Sequence, residues 1–232
     1  MSKPVPLVEA HGVHKVYPGT SKVAALRGVD FSLSRGEFSA LVGPSGSGKS
    51  TLLNLIGTLD RPTKGTIKYD GRNVSDLDVD ALSDFRLAML GFVFQAYNLI
   101  PVLTAAENVE YPLVLRGVEA GERRKLAHEA LRWVGLTDYA ERRPDLLSGG
   151  QQQRVAVARA IVTRPALVLA DEPTANLDSK TGAQLLDLME GLNKDHGITF
   201  LFSSHDHAVL ERARRVVRLQ DGELLADEAR AS

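Results

Sequence analysis

The chain has 232 residues, with 28 basic and 29 acidic side chains, a net charge of -1 and no cysteine. A nucleic-acid binder usually carries a large basic excess, so this balance does not indicate a nucleic-acid partner. Without cysteine, neither a disulfide framework nor a thiolate metal site can form, which suits a reducing cytoplasm.

The amino terminus lacks the basic-then-apolar layout of a secretory signal. No stretch approaches the roughly 18 unbroken apolar residues that a membrane span requires. The longest apolar runs, such as 166–170, have the length of a buried strand. We therefore expect the protein to reach a membrane only through a partner.

In chain order, the first forty residues carry apolar and alternating runs that predict strands. A Gly-rich loop after the third strand leads into one helix. The predicted elements are strands at 8–17, 26–33 and 38–42, a turn around Pro18 to Thr20, a helix at 49–58 and an extended segment at 65–69.

From about Leu82 to about Arg164 the pattern becomes mostly helical, and Thr104 with Glu107 forms a capping box that predicts a helix start. The last third alternates strands with helices, which is typical of a parallel sheet covered by helices. The sequence therefore predicts an α/β core that a helical insertion divides. The later elements are helices at 122–134, 180–193 and 208–213 and strands at 167–170, 198–202 and 216–219.

A phosphate-binding loop is indicated directly after the third predicted strand. Glycines let consecutive backbone N–H groups turn toward phosphate oxygens, and the next helix adds a positive dipole end. In this role Lys49 holds the β- and γ-phosphates, and the Ser50 hydroxyl ligates Mg²⁺. The alternative is a flexible Gly/Ser turn. The residues that fit the pattern G-x-x-x-x-G-K-[ST] are Gly43, Pro44, Ser45, Gly46, Ser47, Gly48, Lys49 and Ser50.

Two adjacent acids, Asp171 and Glu172, end the apolar strand predicted at 167–170. Neighbouring side chains on a strand point to opposite faces, so the two carboxylates have different tasks. One can reach Mg²⁺, while the other can orient an attacking water. The alternative is an acidic pair that faces solvent.

The sequence Leu-Ser-Gly-Gly-Gln at 147–151 resembles the signature motif of ABC ATPases, and the resemblance covers nearly the whole chain. Ser148 and the amides of Gly149 and Gly150 open a helix and so form a second anion site. An ordinary capped helix start would use the same residues, and both interpretations hold together.

Further positions match motifs of the same family. By this resemblance Tyr17 stacks on adenine, Gln95 meets Mg²⁺ and senses the γ-phosphate, and Asp178 belongs to the loop that crosses the dimer interface. Many relatives carry alanine or serine where this chain has Asn176. The expected nucleotide contacts are Tyr17, Gly43, Pro44, Ser45, Gly46, Ser47, Gly48, Lys49, Ser50, Thr51, Gln95, Ser148, Gly149, Gly150, Gln151, Asp178 and His205, and the expected metal ligands are Ser50, Gln95 and Asp171.

The resemblance also implies a head-to-tail homodimer with two ATP molecules at its interface. ATP on the phosphate loop of one subunit is then capped by Ser148 and Gly150 of the other. The implied catalytic residues are Lys49, which neutralises charge together with Mg²⁺, Glu172, which orients the attacking water, and His205, which contacts the γ-phosphate.

The implied fold class is α/β, a P-loop NTPase core of the ABC ATPase type with an N-terminal antiparallel β subdomain and an inserted α-helical subdomain. The whole chain, 1–232, then forms one ABC ATPase domain. Its nucleotide-binding core comprises 1–84 and 165–232, and 85–164 forms the helical signature subdomain.

The segments 57–65 and 94–109 and the glutamines 151–153 are similar to the lipoprotein-release and macrolide-export group of ABC ATPases. In relatives, the helical subdomain docks on a transmembrane permease subunit. We therefore expect the 94–104 region to contact such a subunit, with 97–103 forming part of a groove for a coupling helix. The alternative is a buried loop that belongs only to the chain's own core.

The expected function is to power export, lipoprotein release or mechanotransmission through a membrane partner, at the cytoplasmic face of the cell membrane. The chain is expected to be a free-standing subunit or the ATPase part of a longer protein. The alternative is a non-transport ABC ATPase that regulates cell division or cell-wall hydrolases through a membrane partner. Chromosome and repair ATPases are disfavoured because no sustained heptads precede the signature motif, and a generic phosphate-loop kinase has no use for that motif.

Overall fold

The computed structural model describes residues 5–19 and 23–230. Thr20, in the predicted turn after the first strand, lies outside the described residues, as do 1–4 and 231–232 at the ends of the predicted domain. Within the described residues the chain forms ten strands: β1 (Val8–Tyr17), β2 (Val23–Leu33), β3 (Phe38–Val42), β4 (Lys64–Tyr69), β5 (Arg72–Asn73), β6 (Leu90–Val93), β7 (Leu167–Asp171), β8 (Thr199–Ser203), β9 (Arg215–Gln220) and β10 (Glu223–Ala229).

Seven α-helices and two short 3₁₀ turns, at Thr137–Tyr139 and Pro144–Leu146, complete the secondary structure of the described ranges. None of these helices is both long enough and apolar enough to cross a bilayer. The helices are α1 (Lys49–Ile56), α2 (Val79–Met89), α3 (Ala105–Leu115), α4 (Ala120–Trp133), α5 (Gly149–Ile161), α6 (Ser179–His196) and α7 (His207–Arg212).

The strands form two sheets. The first is antiparallel, in the order β2-β1-β4-β5, and the second has six strands in the order β10-β9-β3-β8-β7-β6. In the second sheet β9, β3, β8, β7 and β6 run parallel, whereas β10 is an antiparallel edge strand. The predictions of a parallel sheet in an α/β core and of an antiparallel sheet near the N-terminus are confirmed.

The central strands of the six-stranded sheet, β3, β8 and β7, are buried on both faces. Successive side chains of a strand point to opposite faces, and in β3 they enter different hydrophobic clusters. Ala40 and Val42 pack in the cluster with helices α3 to α6, whereas Leu41 packs in the cluster with α1 and the antiparallel sheet. With both faces covered, the loops at the carboxyl ends of the parallel strands form the edge where a ligand can bind.

Three strands were not predicted from the sequence: β5, which has only two residues, β6 and β10. Strand β6 lies inside 85–164, the range predicted for the helical subdomain, yet it pairs with β7 at the edge of the six-stranded sheet. Strand β6 has only four residues and lies between two helical patterns, so the sequence gives it no separate signal. Strand β10 is mostly exposed, with Leu224 and Ala226 half-buried, so its sequence lacks a strong apolar alternation.

Helix α5, which begins at the signature motif, lies directly against the sheet edge. A Cβ atom added to Gly91 in β6 would lie 2.2 Å from the carbonyl oxygen of Ala160, so only glycine permits this approach. Helix α3 packs beside α5, and its predicted capping box is confirmed. The Glu107 N–H donates to Thr104 Oγ1 at 3.2 Å, and the Thr104 N–H donates to the Glu107 carboxylate at 2.7 Å.

Candidate functional site

The loop between β3 and α1 presents free backbone donors at the carboxyl edge of the sheet. The N–H groups of Ser45, Gly46, Gly48 and Lys49 donate to no other group in the part of the chain that the structure describes. A helix N-terminus with several free amides is an anion-binding site. The loop thus has the form that a polyphosphate requires.

The loop forms one wall of a cleft of about 760 Å³, to which five other segments contribute. These segments are the end of β1, the start of β2 and the loops that follow β6, β7 and β8, so residues up to 188 positions apart meet in one place (205 minus 17). The predicted site residues that line the cleft are Tyr17, Gly43, Pro44, Ser45, Gly46, Ser47, Gly48, Lys49, Ser50, Thr51, Gln95, Glu172 and His205.

The Lys49 ammonium lies inside the loop. Its Nζ donates to the carbonyl oxygens of Gly43 at 2.8 Å and Pro44 at 3.0 Å, and the residue is 8% exposed. Among residues 5–19 and 23–230, no carboxylate forms an ion pair with it. Because a nearly buried charge is costly without a counter-charge, the site favours an anionic ligand such as the phosphates of ATP.

Oxygen ligands gather beside Lys49. The Ser50 hydroxyl donates to Asp171 Oδ1 at 3.2 Å, which joins the helix start of α1 to the end of β7. The Ser47 hydroxyl is buried and has no hydrogen-bond partner within the described residues. Hydroxyl and carboxylate oxygens next to a phosphate loop are the donors that Mg²⁺ takes, so these residues fit that ion.

Glu172 directs its carboxylate into the cleft from a left-handed backbone conformation, with φ at 46°. Its Oε1 lies 2.7 Å from Nδ1 of His205, and its Oε2 accepts from the Ser204 hydroxyl at 3.1 Å. Asp171 and Glu172 do have different partners. Strand alternation, which was predicted to separate the two carboxylates, is not the cause, because β7 ends at Asp171 and Glu172 belongs to the turn that follows.

Two further side chains make hydrogen bonds at the border of the cleft: Asn176, which contacts the lining residue Gln95, and Tyr17, which lines the cleft itself. The Asn176 amide donates to the carbonyl oxygen of Gln95 at 2.9 Å, which ties the Gln95 loop to the loop after β7. The Tyr17 hydroxyl donates to Asp60 Oδ2 at 3.0 Å, and its ring is partly exposed. Burial, reinforced by the Asp60 carboxylate, raises the pKa of the Tyr17 phenol above its usual value.

The other predicted contact residues lie outside this cleft. Ser148 is exposed and caps α5, where its hydroxyl accepts from the Gln151 N–H at 3.3 Å. Asp178 caps α6, and hydrogen bonds from Thr181 hold the pKa of its carboxyl below the usual range. The residues that the chain does not bring to its own phosphate loop are Ser148, Gly149, Gly150, Gln151 and Asp178.

Two contributors to the site were not assigned this role from the sequence. Gln153, fully buried on α5, donates to the carbonyl oxygens of Pro173 at 2.8 Å and Phe94 at 3.3 Å, next to Glu172 and Gln95. Ser204 contacts Glu172 directly. Both stand inside motifs that the sequence displays, but only the fold reveals what they contact.

Comparison with known proteins places the chain in a family. The family model described as ABC transporter matches residues 26–175. Over 231 residues the chain is 48% identical to the lipoprotein-releasing system ATP-binding protein LolD of Anaeromyxobacter dehalogenans, covering 98% of this chain and 97% of that protein. It is also 48% identical over 223 residues to the macrolide export ATP-binding/permease protein MacB of Hyphomonas neptunium, covering 96% of this chain and 34% of that protein.

A solved structure has the same fold. It is a dimeric, post-hydrolysis state of the ATP-binding cassette MJ0796 bound to ADP and phosphate, with a TM-score of 0.89 and 45% identity, covering 97% of this chain and 99% of that chain. The predicted ABC ATPase fold is thereby confirmed, and so is the resemblance to the lipoprotein-release and macrolide-export group. The chain belongs to the ABC transporter family, as one of its ATP-binding and ATP-hydrolysing cassettes.

Proposed function

We propose that two copies of this cassette close over two ATP molecules and so drive a membrane permease subunit in export, lipoprotein release or mechanotransmission. In each site Lys49 holds the β- and γ-phosphates, Tyr17 stacks on adenine, and His205 contacts the γ-phosphate. When Mg²⁺ is bound, it neutralises charge on the transferred phosphoryl group. The residues that would hold it are Ser50, Gln95 and Asp171.

The observation that carries the proposal is the open start of helix α5. Within the described ranges, the N–H groups of Gly149 and Gly150 have no acceptor, and Ser148 beside them is exposed. These donors do not reach the cleft of their own chain. A helix N-terminus binds an anion, so a second copy is needed to bring these groups to a γ-phosphate. Release of that phosphate removes the charge that joins the two copies.

Glu172 is the residue that we assign to the hydrolytic step. Phosphoryl transfer to water asks for positioning of the nucleophile and for charge neutralisation. The Glu172 carboxylate is held at the cleft by two neighbours, and it can accept a hydrogen bond from a water in line with the γ-phosphate. Lys49, whose Nζ lies within the phosphate loop next to the Gly43 carbonyl oxygen, supplies positive charge to the phosphates.

Substitution of Glu172 by glutamine tests this assignment. Glu172→Gln keeps the shape of the side chain but lowers its basicity, so ATP binding persists while turnover is lost. We expect gel filtration with ATP to show an accumulated dimer, and without ATP a monomer or weak dimer. Lys49→Ala serves as the matched control, because it removes the phosphate contact and should give no dimer. Wild-type turnover of Glu172→Gln would refute the role.

A second surface of the chain supports the proposal of a membrane partner. A groove of about 510 Å³ lies between the 94–104 region, α2 and α3, and its walls are mainly apolar. Leu115 and Tyr111 on α3 are 59% and 43% exposed at this groove. The Arg159 guanidinium on α5 donates to the carbonyl oxygens of Tyr97 and Asn98, which connects the groove to the signature helix. A cytoplasmic helix of a permease subunit fits such a surface.

This docking assignment includes the division of the chain into a core, 1–84 and 165–232, and a helical subdomain, 85–164, with β6 counted in the core sheet. It places the cassette at the cytoplasmic face of the cell membrane through its partner. The test is co-purification with the membrane protein encoded by the neighbouring gene. Leu115→Arg should abolish binding, whereas Leu225→Arg, on an equally exposed leucine of β10, should not. Equal recovery with both variants would refute the docking surface.

A further inference from the structure

Ser204 lies directly after β8 and is fully buried beneath the catalytic cleft. Its hydroxyl donates to Glu172 Oε2 at 3.1 Å. The Ser204 hydroxyl oxygen in turn accepts a hydrogen bond from the Asp206 N–H, also at 3.1 Å. The Ser204 side chain therefore sits between a backbone donor and the carboxylate that we assign to the attacking water.

The direction of the Ser204 hydrogen bond is fixed by its neighbours. A backbone N–H can only donate, so the Asp206 amide occupies a lone pair of the hydroxyl and leaves its single hydrogen free for Glu172. Asp206 is itself held in place. Its carboxylate accepts from the Ala208 N–H at 2.9 Å as the cap of α7, and from the Thr174 hydroxyl at 2.7 Å. The Ser204 hydroxyl thus points at an acceptor and matches an ionised carboxylate.

The two contacts of Glu172 differ in how firmly they are held. The His205 side chain is 74% exposed, so its ring is free to turn toward a ligand in the cleft. Ser204 is fully buried and bonded on its other side, so it stays where it is when a ligand binds. Once His205 contacts a γ-phosphate, Ser204 is the contact that still fixes the Glu172 carboxylate.

We propose that Ser204 is a positioning residue for hydrolysis: its hydroxyl anchors Oε2 of Glu172 and so leaves Oε1 for the attacking water. This inference rests on the proposed role of Glu172. It assigns to Ser204 no contact with ATP. Loss of the hydroxyl should therefore slow the chemical step without weakening the binding of nucleotide.

A neighbouring serine provides a matched control. Ser203 is also fully buried, and within residues 5–19 and 23–230 its hydroxyl has no hydrogen-bond partner. Ser203→Ala and Ser204→Ala each delete one buried hydroxyl at adjacent positions. Removal of an unpaired hydroxyl costs little, so Ser203→Ala reports what the substitution does to packing alone.

The experiment compares the two alanine variants by steady-state ATPase kinetics, ATP binding by calorimetry and thermal unfolding. We expect Ser204→Ala to lower kcat by roughly ten- to a hundredfold, the effect of a misplaced catalytic group, and to leave KM and the Kd for ATP within twofold. Ser203→Ala should keep the wild-type kcat. Equal kcat values for the two variants, or a loss of ATP affinity equal to the loss of kcat in Ser204→Ala, would overturn the proposal.

A double substitution separates this inference from the role on which it depends. If Ser204 acts through Glu172, then adding Ser204→Ala to Glu172→Gln should change the residual single-turnover rate less than twofold. If Ser204→Ala lowers the single-turnover rate of the Glu172→Gln variant by a further tenfold, Ser204 does not act through Glu172. That result would contradict a positioning role, although the role of Glu172 would survive. Wild-type turnover of Glu172→Gln alone would instead remove the proposed role of Glu172.

Discussion

Gly43 is the position where the smallest substitution should damage the nucleotide site most. Its backbone has φ at 154°, and a Cβ atom built there would lie 2.1 Å from the carbonyl oxygen of Leu219 and 2.7 Å from the Ser47 hydroxyl. Leu219 belongs to β9, which is paired with β3 and cannot yield as a flexible side chain would. Gly43→Ala therefore forces the phosphate loop itself to move.

The size of the effect follows from the contact distances. A carbon and a carbonyl oxygen approach to about 3.3 Å at closest, so the alanine methyl overlaps by about 1.2 Å. Overpacking of this kind costs about 1–3 kcal/mol, and a positive φ in an L-residue adds about 1–2 kcal/mol. A shift of about 1 Å in a group that positions substrate lowers a rate about a hundredfold.

The assay combines thermal unfolding, ATP binding by calorimetry and initial ATPase rates. Gly197→Ala is the matched control, because Gly197 also has a positive φ, 66°, yet no atom lies within 4 Å of the added Cβ. It ends α6 at the opposite edge of the sheet. We expect Gly197→Ala to destabilise the fold by about 1 kcal/mol and to keep its ATPase activity.

For Gly43→Ala we expect at least about a hundredfold loss of kcat/KM and a free energy of unfolding lower by about 2–5 kcal/mol. Full retention of ATP affinity together with a wild-type unfolding temperature would show that β9 and the loop adapt without cost. The reasoning from this close contact would then be wrong.

Two further substitutions test single side chains, Arg215 at the amino end of β9 and Asn176 beside the nucleotide cleft. The Arg215 guanidinium forms ion pairs with the Asp227 carboxylate at 2.6 Å and the Glu37 carboxylate at 3.0 Å. The hydrogen bond from Arg215 lowers the pKa of Asp227. Burial would raise the pKa of Glu37, but its hydrogen bonds outweigh burial and lower it. Carboxylates with lowered pKa values stabilise the fold above about pH 4 and lose this contribution as the pH falls through their folded pKa. Chemical unfolding should therefore find Arg215→Met less stable by about 2 kcal/mol at pH 7, with the difference shrinking below about pH 4; a constant difference would contradict the assignment. Asn176→Ala removes two exposed hydrogen bonds with Gln95, one to its backbone carbonyl at 2.9 Å and one from its side-chain amide at 3.5 Å. The melting temperature should fall by only about 2 °C, and an unchanged value would mean that these bonds contribute nothing.

Much of the fold was readable from the sequence because its signals are local. Strand β1 begins and ends where the sequence pattern predicted, and β3 is a short buried run, apolar except for Ser39, that ends at the glycine loop. The capping boxes of Thr104 and Ser148 are also local, since each uses residues three positions apart. Strand β6 was missed because only pairing with β7, some 77 residues later (167 minus 90), makes it a strand.

In the site, too, local features were predictable from the sequence and long-range contacts were not. The phosphate loop is a contiguous motif that acts through its backbone N–H groups, so the loop can be predicted from the sequence alone. The contacts that orient the catalytic side chains join distant loops, as in the hydrogen bond between Ser204 and Glu172, 32 positions apart, and that between Asn176 and Gln95, 81 positions apart. The motif shows that Ser204 and Asn176 are present, but the distances between loops follow only from the packed fold.

The most direct test is a structure of the Glu172→Gln variant bound to Mg²⁺ and ATP. We expect two antiparallel copies, with Ser148 and Gly150 of each within hydrogen-bonding distance of the terminal phosphate that lies on Lys49 of the other. A nucleotide bound at Lys49 in a lone chain, with its α5 start facing only solvent and no second copy placed to meet it, would contradict the proposed dimer.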